Sequence, residues 1–464
     1  MMRTHRSRRA RAASIIAGAC AVAAVGACDV KKELLEPQNP GIIGPDQVQS
    51  PTAADAFRKG VLGRLRSMTV TTGSSFGPTW AEMGLLTDEW KSSNTFSQHQ
   101  ELDSRSVSIN NSDASETYGK WQGARGAAYT ALDVLNQYLP TPAYLAQMYF
   151  VMGFAELNLG QNYCNGIPLG RTVDGAVQYS KAYTNAEVIG IAITHFDSAL
   201  AYIGSGTDTA SINVGTAVRL AKARALVELG KFSEAAALVA SVPTDYMWVL
   251  QFATTSGDNG LWNYNNSVKR LTVGDSFDAG GLIQNAIPFA SAKDPRVPVS
   301  GTTLKSSLGA GFDNTTQLVT QQIWPARSDP VPLLSGVDAR LIEAEAKLQA
   351  NDIAGMTAIL NSLRAAPHVL GALTSPVMSA LAAPATKDAA VTLYFRETAF
   401  WQFSRGTRLP NLRRLVRQYG RTQDKVFPTG QFFKGQTYQN DVNFPVTTGE
   451  LANPNFTGCV DRNA

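Results

Sequence analysis

Histidine and cysteine are scarce in this 464-residue chain, with four of each. His5 lies in an arginine-rich opening stretch, and His99, His195 and His368 stand far apart, with no His-Glu-x-x-His and no paired Cys-x-x-Cys. That leaves no zinc-binding pattern, so no metal and no cofactor is expected. A glycine-rich loop carrying the lysine that would cradle a phosphate is also missing. Beyond residue 27 no run reads as apolar enough to span a bilayer, which takes roughly 20 residues. Carboxylates are absent from the opening stretch as well: residues 3 to 11 hold Arg3, Arg6, Arg8, Arg9 and Arg11 and no acid.

An apolar run follows from Ala12 to Val25 and ends at Gly26-Ala27-Cys28. A basic head, a short apolar middle and a small-residue end describe a secretory signal peptide, expected over residues 1–27. Val25-Gly26-Ala27-Cys28 resembles a bacterial lipobox, in which the cysteine thiol carries a diacylglycerol. Ala17-Gly18-Ala19-Cys20 is a second candidate but leaves a very short apolar region, and an ordinary cleaved signal is the plain alternative. Cys28 is therefore the expected lipidation site, each buried methylene of its chains contributing roughly 0.8 kcal/mol of anchoring.

Loss of the leader removes five arginines and takes the formal charge from +4 to −1. The basicity belongs to the leader, and nucleic acid loses its electrostatic warrant as a partner. Cys164 and Cys459 then remain. An exported chain sits in an oxidising space, which favours one disulfide between them over two separate thiols.

Residues 28–50 hold Pro37, Pro40, Gly41, Gly44 and Pro45 and read as an extended tether to the lipid. Helical periodicity dominates afterwards. Leu145, Tyr149, Met152 and Leu159 share one face, with Gly160 placed to cap the helix. Val188, Ile191, Ala192, Phe196, Ala199, Leu200 and Ile203 form a second stripe closed by Gly204. Val218, Ala221, Ala225 and Leu229 form a third closed by Gly230. Arg219, Leu220, Ala223, Ala225 and Ala237 match Arg340, Leu341, Ala344, Ala346 and Ala358, as tetratricopeptide-like helix pairs would, without the regular spacing of a tandem array. The expected fold is mainly α: one domain over 51–464 built of such pairs, with a long irregular insertion at about 243–334 containing minor β structure.

Chemistry is thinly supplied. Gly73-Ser74-Ser75-Phe76-Gly77 fits the Gly-x-Ser-x-Gly pattern of a hydrolase elbow, but Gly77-Pro78 continues a loop where that elbow needs a helix. Asp88 and Glu89 are adjacent, and adjacent carboxylates rarely flank one glycosidic bond. His195 borders an apolar stripe and reads as a satisfied, half-buried side chain. No enzyme is expected. Binding is better provided for, because a flat aromatic ring offers sugar faces or peptide side chains a partner with little entropy to lose. Trp80, Trp90, Trp248, Trp262, Tyr264 and Trp324 fall in expected loops or at helix ends, where burial under a loop competes with ligand contact. Trp262 and Tyr264 rank first as ligand-binding candidates, since Asn263, Asn265 and Asn266 add neutral hydrogen bonds beside the rings. Trp121 and Trp401 lie in helical segments and read as core.

Motifs in order along the chain carry a family resemblance. Leu86-Thr87-Asp88-Glu89-Trp90 resembles the acidic segment that follows the first helix in the SusD/RagB family, and Asp294-Pro295-Arg296 is similar to that family's DPR stretch. Arg340-Leu341-Ile342-Glu343-Ala344-Glu345-Ala346 with Leu360-Asn361-Ser362-Leu363-Arg364 resembles its EAE…LN..R helix pair. Arg396-Glu397, then Gly406-Thr407-Arg408-Leu409-Pro410-Asn411-Leu412-Arg413, resembles its most specific signature. Ser404-Arg405 stands where an acid often precedes the glycine and Asn411 where an aspartate is common, which argues against a salt-bridged corner there. The resemblance implies an outer-membrane lipoprotein at the cell surface. It would bind a nutrient, oligosaccharide or peptide, and deliver it to a SusC-like TonB-dependent barrel. The alternatives are a lipid-anchored helical-repeat scaffold for another protein and, more remotely, an anchored hydrolase. An aromatic-lined pocket built from insertions would favour the first, an uninterrupted helical groove the second.

Overall fold

Helix α1 (Pro51–Ser67) is the first described element, begun where Ser50 accepts a hydrogen bond from the Ala53 N–H (3.2 Å) and Pro51 occupies the first turn. The computed structural model describes residues 49–70, 77–173, 176–278, 281–301 and 310–464. The leader, Cys28, nearly all of the tether and residues 73–76 of the Gly-x-Ser-x-Gly stretch lie outside the described residues. Gln49–Ala464 forms one unit.

The structure is mainly α. After α2 (Thr79–Leu85) and α3 (Ser97–Asp103) come the long helices α4 (Ser112–Tyr138), α5 (Pro142–Asn162), α6 (Asn185–Ile203) and α7 (Thr209–Glu228), then α8 (Phe232–Val239). Beyond the insertion, α9 (Gly336–Gln349) pairs with α10 (Ile353–Arg364), and α11 (Lys387–Trp401) and α12 (Arg408–Arg417) close the fold. From α4 to α10 each helix packs on the next, and α9 packs on α8 across the interruption, so the helical stack is continuous in space though broken in sequence. Side-chain caps set the starts. Thr184 and Glu187 close a capping box on α6, Asp208 caps α7, and Ser335 with Asp338 caps α9.

Gly204 (φ +48°) and Gly230 (φ +75°) end α6 and α7, as the periodicity predicts. Gly160 does not cap α5, which runs on to Asn162. It is a contact glycine instead: a Cβ there would come within 2.8 Å of the Ile189 side chain, and one at Gly153 within 2.7 Å of Phe196 and 3.0 Å of the Ala192 carbonyl. These two positions bring α5 and α6 together. By length and composition α6 could cross a bilayer, contrary to the sequence reading. In the fold its apolar face, with Val188, Ile189, Ala192, Phe196, Ala199 and Ile203 buried, lies against α5 and α7.

Strands are short and paired in twos. β1 (Trp90–Ser92) pairs with β3 (Leu271–Val273). β2 (Met247–Leu250) pairs antiparallel with β6 (Val331–Ser335), aligning Met247 with Ser335 and Leu250 with Val331. That pair ties the two ends of the insertion together at its neck. Between them lie a helical turn Gly260–Trp262 continuing as a π turn Asn263–Ser267, and the hairpin β4 (Phe277–Asp278) to β5 (Gly281–Leu282).

The signature segments form buried ion pairs, which corrects the expectation for that corner. Arg408 grips Asp88 through two 2.7 Å bonds. Arg405, standing where an acid is common, turns to Asp338 with contacts of 2.7 and 2.9 Å. Arg414 reaches Glu345 at 2.5 Å, and Asn411 accepts from the same guanidinium at 2.9 Å. Arg296 joins Asp294 and Glu397, both at 2.7 Å, and Arg364 shares Glu397. The charges are carried by other residues than those expected. Cys164 and Cys459 form a disulfide, with Cα atoms 5.9 Å apart, which fastens the C-terminal tail beside the end of α5.

Candidate functional site

Where α2 and β1 meet the insertion, four segments are knitted into one surface. Ser93 donates its N–H to the Arg270 carbonyl (3.1 Å) and its hydroxyl to the Lys269 carbonyl (2.7 Å). The Phe312 N–H reaches the same Lys269 oxygen (2.8 Å), and the Asp313 N–H reaches the Ser93 carbonyl (2.9 Å). Gly311 must be glycine for this approach, since a Cβ there would lie 2.3 Å from that of Ser93. Asp313 accepts from the Thr315 and Thr316 N–H groups and the Thr316 hydroxyl (3.0, 2.8 and 2.6 Å), and Lys434 of a C-terminal loop sits 2.9 Å away. Burial would raise the Asp313 carboxyl, but these donors outweigh it and hold it at about 2, so the tie is charged at neutral pH.

The surface presents aromatic rings. Phe96 and Phe312 are 41% and 42% exposed, and the Arg270 guanidinium lies between them, 4.7 Å from one centroid and 3.9 Å from the other. Beside them opens a cleft of about 370 Å³ lined by Lys91, Thr272, Asp278, Thr316, Gln317 and Phe433. The Phe433 ring has Lys91 at 5.6 Å and Lys434 at 5.3 Å. Lys91 in turn pairs with Asp278 at 2.5 Å. The result is a half-open site of rings, hydroxyls, an amide and cations, assembled mostly from the insertion.

No family model matches the sequence, and no curated protein matches it. Solved structures do. A SusD superfamily protein from Parabacteroides distasonis aligns over 88% of this chain and 98% of its own, with 15% identity and a TM-score of 0.61. A SusD-like carbohydrate binding protein from Bacteroides vulgatus aligns over 88% and 97%, with 14% identity and a TM-score of 0.60. Surface glycan-binding protein A from Bacteroides uniformis aligns over 87% and 99%, with 12% identity and a TM-score of 0.63. The chain has the SusD-like fold.

On this SusD-like frame most of the aromatic residues singled out by sequence are structural. Trp90 is fully buried, tilted on Phe403 at 5.2 Å, with its indole N–H donated to Ser404 (2.8 Å). Trp80 is buried over Gly406, where a Cβ would lie 2.4 Å from its ring, and Trp324 is buried over Gly371. Tyr264 is buried against His99, its hydroxyl pKa pushed up by that burial. These four serve as core anchors. Trp262 is half-buried on the short helical turn, and Trp248 stacks on Phe150 at 4.9 Å. Phe96, Phe312 and Phe433 were missed because rank was given to tryptophan beside asparagine. The available signal was phenylalanine in polar, glycine-rich stretches such as Gly309-Ala310-Gly311-Phe312-Asp313-Asn314.

One group of ligating side chains also escaped the sequence reading. Glu82, His99 and Asp113, all buried, bring ligating atoms within 4.8 Å of one another. Hydrogen-bond direction argues against a metal there. Arg270 Nη1 (2.5 Å) and the Thr95 N–H (2.9 Å) both donate to Asn94 Oδ1, which turns the Asn94 amide nitrogen towards His99 Nδ1 (3.1 Å). Nδ1 therefore accepts and the ring proton sits on Nε2, which lies 3.0 Å from Asp113 Oδ2 without a hydrogen bond between them. A metal would need that nitrogen bare. Burial first, then the Asp113 charge, pushes the Glu82 carboxyl well above its ordinary range. His195 is satisfied by Glu156 (2.6 Å) and the Tyr129 hydroxyl (3.2 Å).

Proposed function

We propose that this protein is a non-catalytic oligosaccharide-binding lipoprotein of the outer membrane. Cys28 anchors it facing the cell surface, and it passes its ligand to a SusC-like TonB-dependent barrel. The observation that carries this reading is the exposed Phe96 and Phe312 pair beside a polar cleft, where the insertion meets the SusD-like frame. Sugar rings have apolar faces that settle on aromatic rings and hydroxyl edges that need amide and carboxylate partners. Both kinds of group line this cleft. Solved proteins of the same fold bear the descriptions carbohydrate binding and surface glycan-binding, and the basic leader with its lipobox-like end supports export and anchoring. The buried state of Asp88 and Glu89 speaks against hydrolysis at that pair. An insertion-built aromatic cleft favours nutrient capture over the scaffold reading.

The test is affinity electrophoresis of the intact chain through a panel of polysaccharides, with Phe312→Ala alongside. Retardation by at least one polysaccharide is expected, weakened by about tenfold or more in the variant, the scale of an interface hot spot. Binding to unstructured peptides with no glycan retarding the protein would overturn the sugar reading. Gentle detergent extraction of the native membrane and pull-down should recover a large β-barrel in near-equal amount. Recovery of the protein alone would remove the transporter partner.

A further inference from the structure

We infer that the platform is shaped for an acidic sugar, one bearing a carboxylate or an ester sulfate, and that Arg270 is the residue that reads the anion. This rests on the glycan-binding reading and narrows it to a ligand class.

The charges around the site are unevenly matched. Lys91 is neutralised by Asp278 and Lys434 by Asp313. Arg270 has no carboxylate partner among the described residues. Among the described residues its one side-chain hydrogen bond goes from Nη1 to the neutral Asn94 Oδ1, and Nε and Nη2 have no acceptor. Lys269, exposed and in the left-handed region (φ +58°), adds a second cation with no acid paired to it among the described residues. The corner is thus locally positive on a chain whose charge without its leader is −1. Overall composition does not account for it.

Geometry says how the charge is offered. The Phe96 and Phe312 rings flank the guanidinium at 4.7 and 3.9 Å, and Asn94 fixes one corner of it. What remains is the edge, held still, with parallel N–H groups. A planar fork of that kind matches two oxygens of a carboxylate or sulfate, and little entropy remains to be lost on binding. The flanking rings, open on their outer sides, would take the apolar faces of the same or neighbouring sugar units. A half-buried cation without a counter-charge is poorly solvated, and an anionic ligand relieves that where a neutral one does not.

Affinity electrophoresis and titration calorimetry on the intact protein separate the possibilities. The probes are polygalacturonate, a sulfated galactan, the neutral polymers amylopectin and galactomannan, and polyglutamate. The expected result is tighter binding to an acidic polysaccharide, weakened several-fold as salt rises from about 0.05 to about 0.5 M. Arg270→Gln should weaken it by at least about tenfold, and Arg270→Lys, which keeps the charge and loses the fork, should fall between. Thermal melts check that both variants fold, and the salt series on the unaltered protein needs no variant. Binding to neutral glycans that is indifferent to Arg270→Gln would overturn the inference and leave the glycan-binding reading standing. Equal binding to polyglutamate would overturn the sugar part of it. Binding to no polysaccharide would overturn both.

Discussion

Glu89 is a carboxyl placed where ionisation is costly. It lies fully buried, with one oxygen taking the Ser404 N–H (2.8 Å) and the other unpartnered. Burial pushes it up to about 8, against the smaller pull of Ser404 and Arg408. Its neighbour Asp88 makes the opposite use of the same corner, gripped by Arg408 and the Ile287 N–H (2.7 Å). A carboxyl raised in the folded state binds a proton that the unfolded chain has released, so its contribution is fully present below about pH 4.5 and is lost as pH rises towards 8. Glu89→Gln, which mimics the neutral acid, should therefore be more stable than the parent at pH 8.5 by up to a few kcal/mol and nearly equal at pH 4 to 5. Urea melts at the two pH values check this; equal curves at both would mean Glu89 is ionised in place. Trp262 is a different kind of residue, half open beside the buried Tyr264. Trp262→Ala should weaken glycan binding with only a small change in melting temperature, and a large loss of stability would assign it to the core.

Among the elements, helix existence was legible and helix chemistry less so. The stripes of α5, α6 and α7 were readable because apolar residues recur at helical spacing, and Gly204 and Gly230 end helices because only a left-handed residue can turn there. Gly160 misled because a glycine for capping and a glycine for close packing look alike in one sequence. What distinguishes them is Ile189, which lies on another helix. The same limit applies to the rings. Trp80, Trp90 and Trp324 read from sequence as loop or helix-end residues, which suggests exposure, yet each lies over a glycine that only the folded chain brings near. Phe96 and Phe312 carry no such sequence signal although both are exposed. The Glu82, His99 and Asp113 cluster was invisible because its members belong to three different helices. At this scale the sharpest prediction concerns the α5 and α6 contact. Gly153→Val would drive side-chain atoms into Phe196 and the Ala192 backbone, and should destabilise by about 1–3 kcal/mol. Chemical denaturation measures it, and an unchanged midpoint would mean the two helices can part without cost.

Across the whole molecule, long-range ties hold the C-terminal tail to the middle of the chain. The disulfide joins positions 295 residues apart, and the tail beyond it stays attached as the Val460 N–H bonds the Asn165 carbonyl (2.9 Å). Closing so long a loop removes much freedom from the unfolded chain, worth about 6 kcal/mol on the chain-entropy view. Cys459→Ser should lower stability by several kcal/mol, seen as a lower denaturation midpoint that reductant no longer shifts. A parent protein indifferent to reductant would show that the tail is held by its hydrogen bonds alone.

The β2 and β6 pair bears on how such a molecule can diversify. The chain leaves the helical stack at Leu250 and re-enters it at Val331, and these two residues are register partners. A detour whose exit and entrance are side by side can lengthen, shorten or be rewritten while α8 and α9 keep their seats, since loop length costs only a little closure entropy. The ligand corner, however, is stitched from both sides of that seam: Phe96 and Asn94 belong to the frame, Arg270 and Phe312 to the detour. Grafting a foreign detour would thus transplant half a palate. The recipient should taste a mixture of the two parents, and neither one alone.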